Sequence, residues 1–301
     1  MYQDEKWLLK EKYHGVESEA FHADCARLAT GEPLGYLIGH VPFLNCTIHL
    51  DSHPLIPRPE TEFWTEQAIA EIIHQATTKT KVRGRTTYLA EKSAEHKQNP
   101  GLPRYARKDA TEKLRDGIPK RRDSIPTILD LCAGSGAIGV AVAKALPEAQ
   151  VTFAEIDSTH LPTIKKNITF NSTVNSTIKG DGNYKIIESD VFKNITTESK
   201  FDFILTNPPY IDVLANTIDA NVALHEPHLA LFGGVSGMEI IARIIAEAPN
   251  YLTPDGQLWI EHEPVQSVAI LELANAAGFA TAVTHVDQYG VLRFSVLTMA
   301  Q

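Results

Sequence analysis

The sequence predicts an α/β fold: a parallel sheet with helices on both faces and an antiparallel edge. Three observations carry that expectation. From Thr127 onward, short apolar runs alternate with helical stretches, the pattern of a parallel sheet covered on both sides. A glycine-rich turn, Cys132-Ala133-Gly134-Ser135-Gly136, stands between the first run and the first helix. The last two runs, 280–286 and 291–299, are joined by Asp287-Gln288-Tyr289-Gly290, which reads as a terminal hairpin.

Residues 1–30 read as helical, with Trp7, Leu8, Leu9 and Phe21, Cys25, Leu28 as short apolar faces. Gly31 and Pro33 end that block. Residues 34–59 look extended and rich in turns, with a strand at Thr47-Ile48-His49-Leu50 in a hairpin. Pro59-Glu60-Thr61-Glu62 is a helix start, because proline suits the first turn and acids favour the helix N-terminus. That helix is expected to end near Ile73. Strands are expected at 127–131, 150–154, 185–187, 201–206 and 256–261. Helices are expected at 137–145, 160–171, 236–248 and 265–277.

Residues 76–124 break the pattern. They hold 14 Lys/Arg against 6 Asp/Glu, a net of +8, so the rest of a chain of net −9 carries −17. With few large aliphatics the segment cannot bury much, and it reads as a disordered or weakly helical insertion. It is either a solvated loop or a contact for RNA or the ribosome, since basic tracts favour phosphate. An acidic body with one basic segment does not suit duplex DNA, whose binders carry a broad basic face. No apolar run approaches the roughly 18 residues of a membrane helix, and the N-terminus lacks an apolar signal core. A cytoplasmic location is therefore expected. The three cysteines are far apart with no CxxC pair, so neither a disulfide framework nor a zinc site is expected. No His/Cys/Asp cluster has metal-ligand spacing, so no metal is assigned.

The chemistry-bearing motifs lie at strand ends. Asp130-Leu131-Cys132-Ala133-Gly134-Ser135-Gly136 runs from a strand into a helix, and Gly139 lies three residues further on. Glycines permit a tight turn and close approach of a ligand, and the helix N-terminus offers free N–H groups. The spacing overlaps the dinucleotide fingerprint, but Asp130 would repel a diphosphate and the loop has no lysine. A cationic ligand end suits it better. About 20 residues on, Glu155 follows the second strand, where an acid accepts from ribose hydroxyls. Asp157 reads instead as a helix cap. After the third strand, Asp190 with Val191 beside it could accept from an adenine amino group; a turn or cap aspartate is the alternative. Acids after three successive strands, with a glycine loop free of phosphate chemistry, fit S-adenosylmethionine.

The fourth strand, Phe201–Thr206, runs into Asn207-Pro208-Pro209-Tyr210. Two prolines stop a strand and stiffen the turn they form. The Asn207 side-chain oxygen and the Pro208 carbonyl can each accept one N–H of a planar amide or amine, and Tyr210 offers a face to stack on. Because such a nitrogen's lone pair is delocalised, it must be held in line with the methyl donor.

With these residues in place, the chain resembles the protein-(glutamine-N5) methyltransferases that modify class-1 peptide chain release factors. The stretches that carry the resemblance are GEPLGYLIG (31–39), LIPRPETE (55–62), DLCAGSGAIG (130–139), NPPYI (207–211) and HEPHLALFGG (225–234). It implies a Rossmann-like seven-stranded class I methyltransferase domain over 60–301, a hairpin linker at 34–59 and a short helical substrate-recognition domain at 1–33. It implies that Cys132, Ala133, Gly134, Ser135 and Gly136 cradle the methionine part of the cofactor, that Glu155 holds the ribose, and that Asp190 and Val191 border the adenine. Asn207, Pro208, Pro209 and Tyr210 would hold the substrate glutamine of a Gly-Gly-Gln loop. Arg58 and Glu60 would cap the pocket beside the cofactor, and Glu226 would form a second substrate-side wall. The implied protein is a monomer. Cys132 stands where the family usually has glycine, Glu155 where aspartate is more usual, and Val191 where a larger aromatic is frequent. A ribosomal-protein glutamine would be read by the same pocket. A DNA adenine substrate shares Asn-Pro-Pro-Tyr alone, and the acidic body counts against it.

Overall fold

A computed structural model describes residues 2–82, 125–173, 183–214 and 219–301. The basic segment expected at 76–124 lies outside the described residues from position 83 onward.

Two helices, α1 (Gln3–Glu11) and α2 (Glu19–Ala29), open the chain. Ser18 caps α2 by accepting from the Phe21 N–H at 3.2 Å. Leu8, Phe21 and Leu37 form a small core of their own. Residues 34–38, expected to be extended, form a short helix, α3 (Leu34–Ile38), closed by Gly39 at φ +88°. Burial explains the difference: one turn of helix sends Leu37 into the small core and lets the Tyr36 hydroxyl donate to the Pro54 carbonyl at 2.8 Å.

The hairpin follows as β1 (His40–Phe43) and β2 (Cys46–His49), antiparallel. Helix α4 (Pro59–Val82) begins where expected but runs well past Ile73. Trp64, Ala68, Ile69, Ile72, Ile73 and Ala76 are all buried, so the apolar stripe that defines the helix continues beyond the expected end.

The main sheet has seven strands: β3 (Thr127–Leu131), β4 (Gln150–Glu155), β5 (Tyr184–Glu188), β6 (Phe201–Thr206), β7 (Leu252–Glu261), β8 (Thr281–Val286) and β9 (Leu292–Thr298). Their order is β5-β4-β3-β6-β7-β9-β8. The first five are parallel, and β9 runs antiparallel to both its neighbours. Helices α5 (Ala137–Ala145), α6 (Leu161–Thr173), α9 (Glu239–Glu247) and α10 (Ser267–Ala276) connect them. Two short helices the sequence did not suggest, α7 (Ala220–His225) and α8 (His228–Leu231), lie between β6 and α9.

Alternate strand residues face opposite layers. Ile128, Phe153, Phe203 and Trp259 pack with α4, α5 and the hairpin. Their neighbours Leu129, Ala154, Ile204 and Leu258 pack with α9 and α10. That two-sided burial is why the strands read as continuous apolar runs. The strand order reverses about β3, which opens a crevice at the carboxyl ends of β3 and its neighbours. Among the described residues no helix is long and apolar enough to cross a membrane.

Candidate active site

Register brings the predicted motifs together. Leu131 pairs with Ala154 on one side and Thr206 on the other, and Thr206 pairs with Ile260. The loops after β3, β4, β6 and β7 therefore start side by side on one edge of the sheet.

The glycine loop bends through left-handed backbone at Cys132 (φ +59°), Gly134 (φ +55°) and Gly136 (φ +78°). Cys132 holds a conformation that costs a side-chain-bearing residue about 1 kcal/mol or more. Burial pushes its thiol up to about 12, and the Glu155 carboxylate adds to the rise. A Cβ on Gly134 would meet only open space, so the loop leaves room above it. Asp130 is fully buried, and its Oδ2 accepts from the Gly139 N–H at 2.8 Å, anchoring the start of α5. Burial drives its pKa far up. Asp130 Oδ1 is buried with no hydrogen-bond partner among the described residues.

Glu155 ends β4, almost wholly buried. Its Oε2 accepts from the Gly134 N–H at 2.6 Å and its Oε1 from the Asp157 N–H at 2.9 Å. Each oxygen keeps acceptor capacity. Asp157 caps the following turn, its Oδ1 accepting from the Thr159 N–H at 2.9 Å, as the sequence predicted. Asp190 is partly exposed and pairs with Arg243 at 3.0 Å. Val191 adopts φ +50°, rare for a β-branched residue, and its side chain enters the apolar layer with Leu131 and Phe192. Ser189 holds that turn, donating to the Val191 carbonyl at 2.7 Å and accepting from the Asn194 N–H at 3.1 Å. An open glycine loop with an acid at the next strand's end accommodates an adenosyl amino-acid cofactor. Glu155 and the Cys132–Gly136 backbone are the groups that could hold it.

Beyond β6, Asn207 Nδ2 donates to Thr61 Oγ1 at 3.1 Å, and the Tyr210 hydroxyl donates to Glu261 Oε1 at 3.1 Å. Burial, with the Glu261 charge beside it, drives the Tyr210 pKa well above its ordinary value. The Tyr210 carbonyl accepts from Gln266 Nε2 at 2.8 Å, and the same nitrogen reaches the Ser236 carbonyl at 3.0 Å. The HEPHLALFGG stretch folds back over this turn, with Ile211 bridging Phe232. Close approach requires glycine: a Cβ on Gly237 would stand 1.8 Å from the Tyr210 carbonyl oxygen, and one on Gly233 2.4 Å from that of Pro209.

Arg58 and Glu226 meet. Arg58 Nη2 lies 2.6 Å from Glu226 Oε1, whose side chain is 1% exposed. The Ile56 N–H also donates to Glu226, at 3.4 Å. Glu60 does not join this pair; it lines a cleft of about 310 Å³ with Arg58, Tyr210, Val222, Glu261 and Arg293.

Sequence reading missed several of these side chains. Thr61, Glu261 and Gln266 bond to the Asn207–Tyr210 turn, Arg293 lines the cleft beside Tyr210, and Trp64 reaches Glu261 behind it. One signal was available: Glu261 ends the apolar run Leu258-Trp259-Ile260, just as Glu155 ends its own strand.

The family model for the methyltransferase small domain matches residues 106–229. The chain is 31% identical over 260 residues to a protein named release factor glutamine methyltransferase from Rhodopirellula baltica, covering 86% of this chain and 71% of that one. It is 32% identical over 253 residues to a protein of the same name from Francisella tularensis, covering 84% and 69%. Among solved structures, the hMettl16 catalytic domain in complex with MAT2A 3'UTR hairpin 6 aligns at a TM-score of 0.53. The alignment covers 86% of this chain and 77% of that one at 12% identity, a likeness of fold alone.

Proposed function

The chain belongs to the release factor glutamine methyltransferase family, and from that premise we propose that Asn207, Pro208, Pro209 and Tyr210 hold the glutamine side chain of a release factor for methylation at N5. The enzyme is an S-adenosylmethionine-dependent methyltransferase. The target glutamine is the one in the Gly-Gly-Gln loop of class-1 release factors. The observation that carries this reading is the register Leu131–Thr206, which starts the cofactor loop and the Asn-Pro-Pro-Tyr turn side by side.

When bound, S-adenosylmethionine supplies an electrophilic methyl group on a sulfonium. The protein does the rest by position and charge. Asn207 Oδ1 and the Pro208 carbonyl accept the two N–H groups of the substrate amide. They hold its nitrogen toward the methyl and stabilise the positive charge that grows there. Tyr210 gives the planar amide a face to lie on. Glu155 accepts from the ribose hydroxyls, while Asp190 and Val191 border the adenine. The Arg58–Glu226 pair ties the loop before α4 to the segment after β6, walling the substrate side. The 1–33 helices and the 34–59 hairpin serve as the recognition domain and its linker, attached to the catalytic domain over 60–301.

The test is methyl transfer from labelled S-adenosylmethionine to a purified class-1 release factor, run beside its Gly-Gly-Gln glutamine variant, ribosomes and plasmid DNA. Label is expected on the release factor alone, lost with the glutamine variant and with Asn207→Ala. Label confined to ribosomes or DNA would overturn the substrate assignment.

A further inference from the structure

Glu261 is the last residue of β7 and is 1% exposed. Three groups point hydrogens at it. Trp64 Nε1 donates to Oε2 at 2.6 Å, the Thr61 hydroxyl donates to Oε2 at 2.7 Å, and the Tyr210 hydroxyl donates to Oε1 at 3.1 Å. Indole N–H can only donate, and the three donors together make a site for the ionised carboxylate. Burial raises the Glu261 pKa, while those three bonds and the Arg293 charge oppose the rise.

A hydroxyl has one proton to give. Thr61 gives its proton to Glu261, so toward Asn207 it can only accept. The Asn207 atom 3.1 Å from Thr61 Oγ1 is Nδ2, the donor. The Asn207 amide is thereby fixed, with Nδ2 committed to Thr61 and Oδ1 turned away as an acceptor. The opposite flip would set Nδ2 against the substrate's own NH2, donor facing donor.

We infer that Glu261 is a positioning residue for methyl transfer, selecting through Thr61 the acceptor face of Asn207 and fixing Tyr210 through its hydroxyl. This rests on the reading that Asn207 holds the substrate amide. Helix α4 thus takes part in the reaction from some 146 residues away in sequence, because Thr61 and Trp64 in its first two turns are what reach Glu261.

The full chain is assayed as wild type, Thr61→Val, Thr61→Ser, Glu261→Gln and Asn207→Ala. Measurements are kcat and KM for the release factor, S-adenosylmethionine affinity by calorimetry, and melting temperature. Thr61→Val keeps the shape and removes the hydroxyl, so kcat is expected to fall about 10- to 100-fold, the scale of a misoriented reacting group. Cofactor affinity should stay within about twofold. Thr61→Ser, which keeps the hydroxyl, should recover most of the loss. Glu261→Gln should lower kcat as Thr61→Val does; if it fails to fold, the Thr61 pair decides. Thr61→Val at wild-type kcat, equal losses in Val and Ser, or a loss wholly accounted for by weaker cofactor binding would each overturn the inference. Wild type that leaves the release factor unlabelled overturns the functional reading first, whereas active wild type with an indifferent Thr61→Val overturns the inference alone.

Discussion

The side chain of Asn167, on α6, pairs with the backbone of His49 as a neighbouring strand would, accepting from its N–H at 2.7 Å and donating to its carbonyl at 3.0 Å. The same Nδ2 also donates to the Ser135 carbonyl at 2.9 Å. One turn later Asn171 repeats the pairing on Thr47. Two amides thus cover the free edge of β2, and Asn167 ties the hairpin to the glycine loop. Asn167→Leu strands buried backbone groups, at about 1–3 kcal/mol each. It should lower unfolding free energy in urea titrations and weaken S-adenosylmethionine binding by calorimetry, because Ser135 loses its tether. Unchanged cofactor affinity would show that the hairpin and the loop are not coupled.

Gly237 lies at φ +65° with the Tyr210 carbonyl where its Cβ would be. Gly237→Ala must therefore displace the Asn207–Tyr210 turn, and kcat should fall together with the melting temperature. Gly278 has a similar backbone (φ +86°) but open space around it. Gly278→Ala should cost only the backbone term, about 1 kcal/mol, and leave turnover near wild type. Equal effects of the two would mean the steric contact at Tyr210 does not matter.

The Cys132 and Cys46 thiols are both pushed up to about 12 by burial. At pH 8 their thiolate fractions are then on the order of 10⁻⁴, and the thiolate is the reactive form. Brief iodoacetamide treatment of the native enzyme at pH 8 should leave both unmodified by mass spectrometry, and both should alkylate in urea. Rapid native labelling of Cys132 would place it in a different environment.

Asp24 gives the N-terminal helices an acid-sensitive point. Burial raises its pKa, but hydrogen bonds from Lys12, Tyr13 and Arg27 outweigh that and hold it below the ordinary value. A carboxylate depressed in the folded state stabilises fully above its unfolded pKa, about 3.9, and loses that contribution as pH falls through the folded value. Helices α1 and α2 should loosen below about pH 4, seen as faster amide exchange there. Asp24→Asn should remove this pH dependence and lower stability at neutral pH.

Much of this enzyme is legible locally. The strand Thr127–Leu131, the helix Ala137–Ala145 and the glycine turn between them come from burial pattern and backbone chemistry within a short stretch of chain. Glu155 and Asn207–Tyr210 announce themselves because each directly succeeds an apolar run, and strand ends in such sheets face the crevice. Other features have no local signal. The turn of helix at Leu34–Ile38 exists because Leu37 finds Leu8 and Phe21. Ile73 does not end α4, because Ala76 still finds cover.

The sequence by itself determined the alternation of strands and main helices from Thr127 onward, the glycine loop and the Asn-Pro-Pro-Tyr turn, since periodicity, glycine and proline act on neighbouring residues. Only the tertiary structure decided that Thr61, Trp64, Tyr210 and Glu261 converge, that Arg58 meets Glu226, and that Asn167 clasps His49. Those are contacts across 51 to 200 residues of chain. A side chain's partner at that separation is set by how the layers pack, and no short-range preference encodes it.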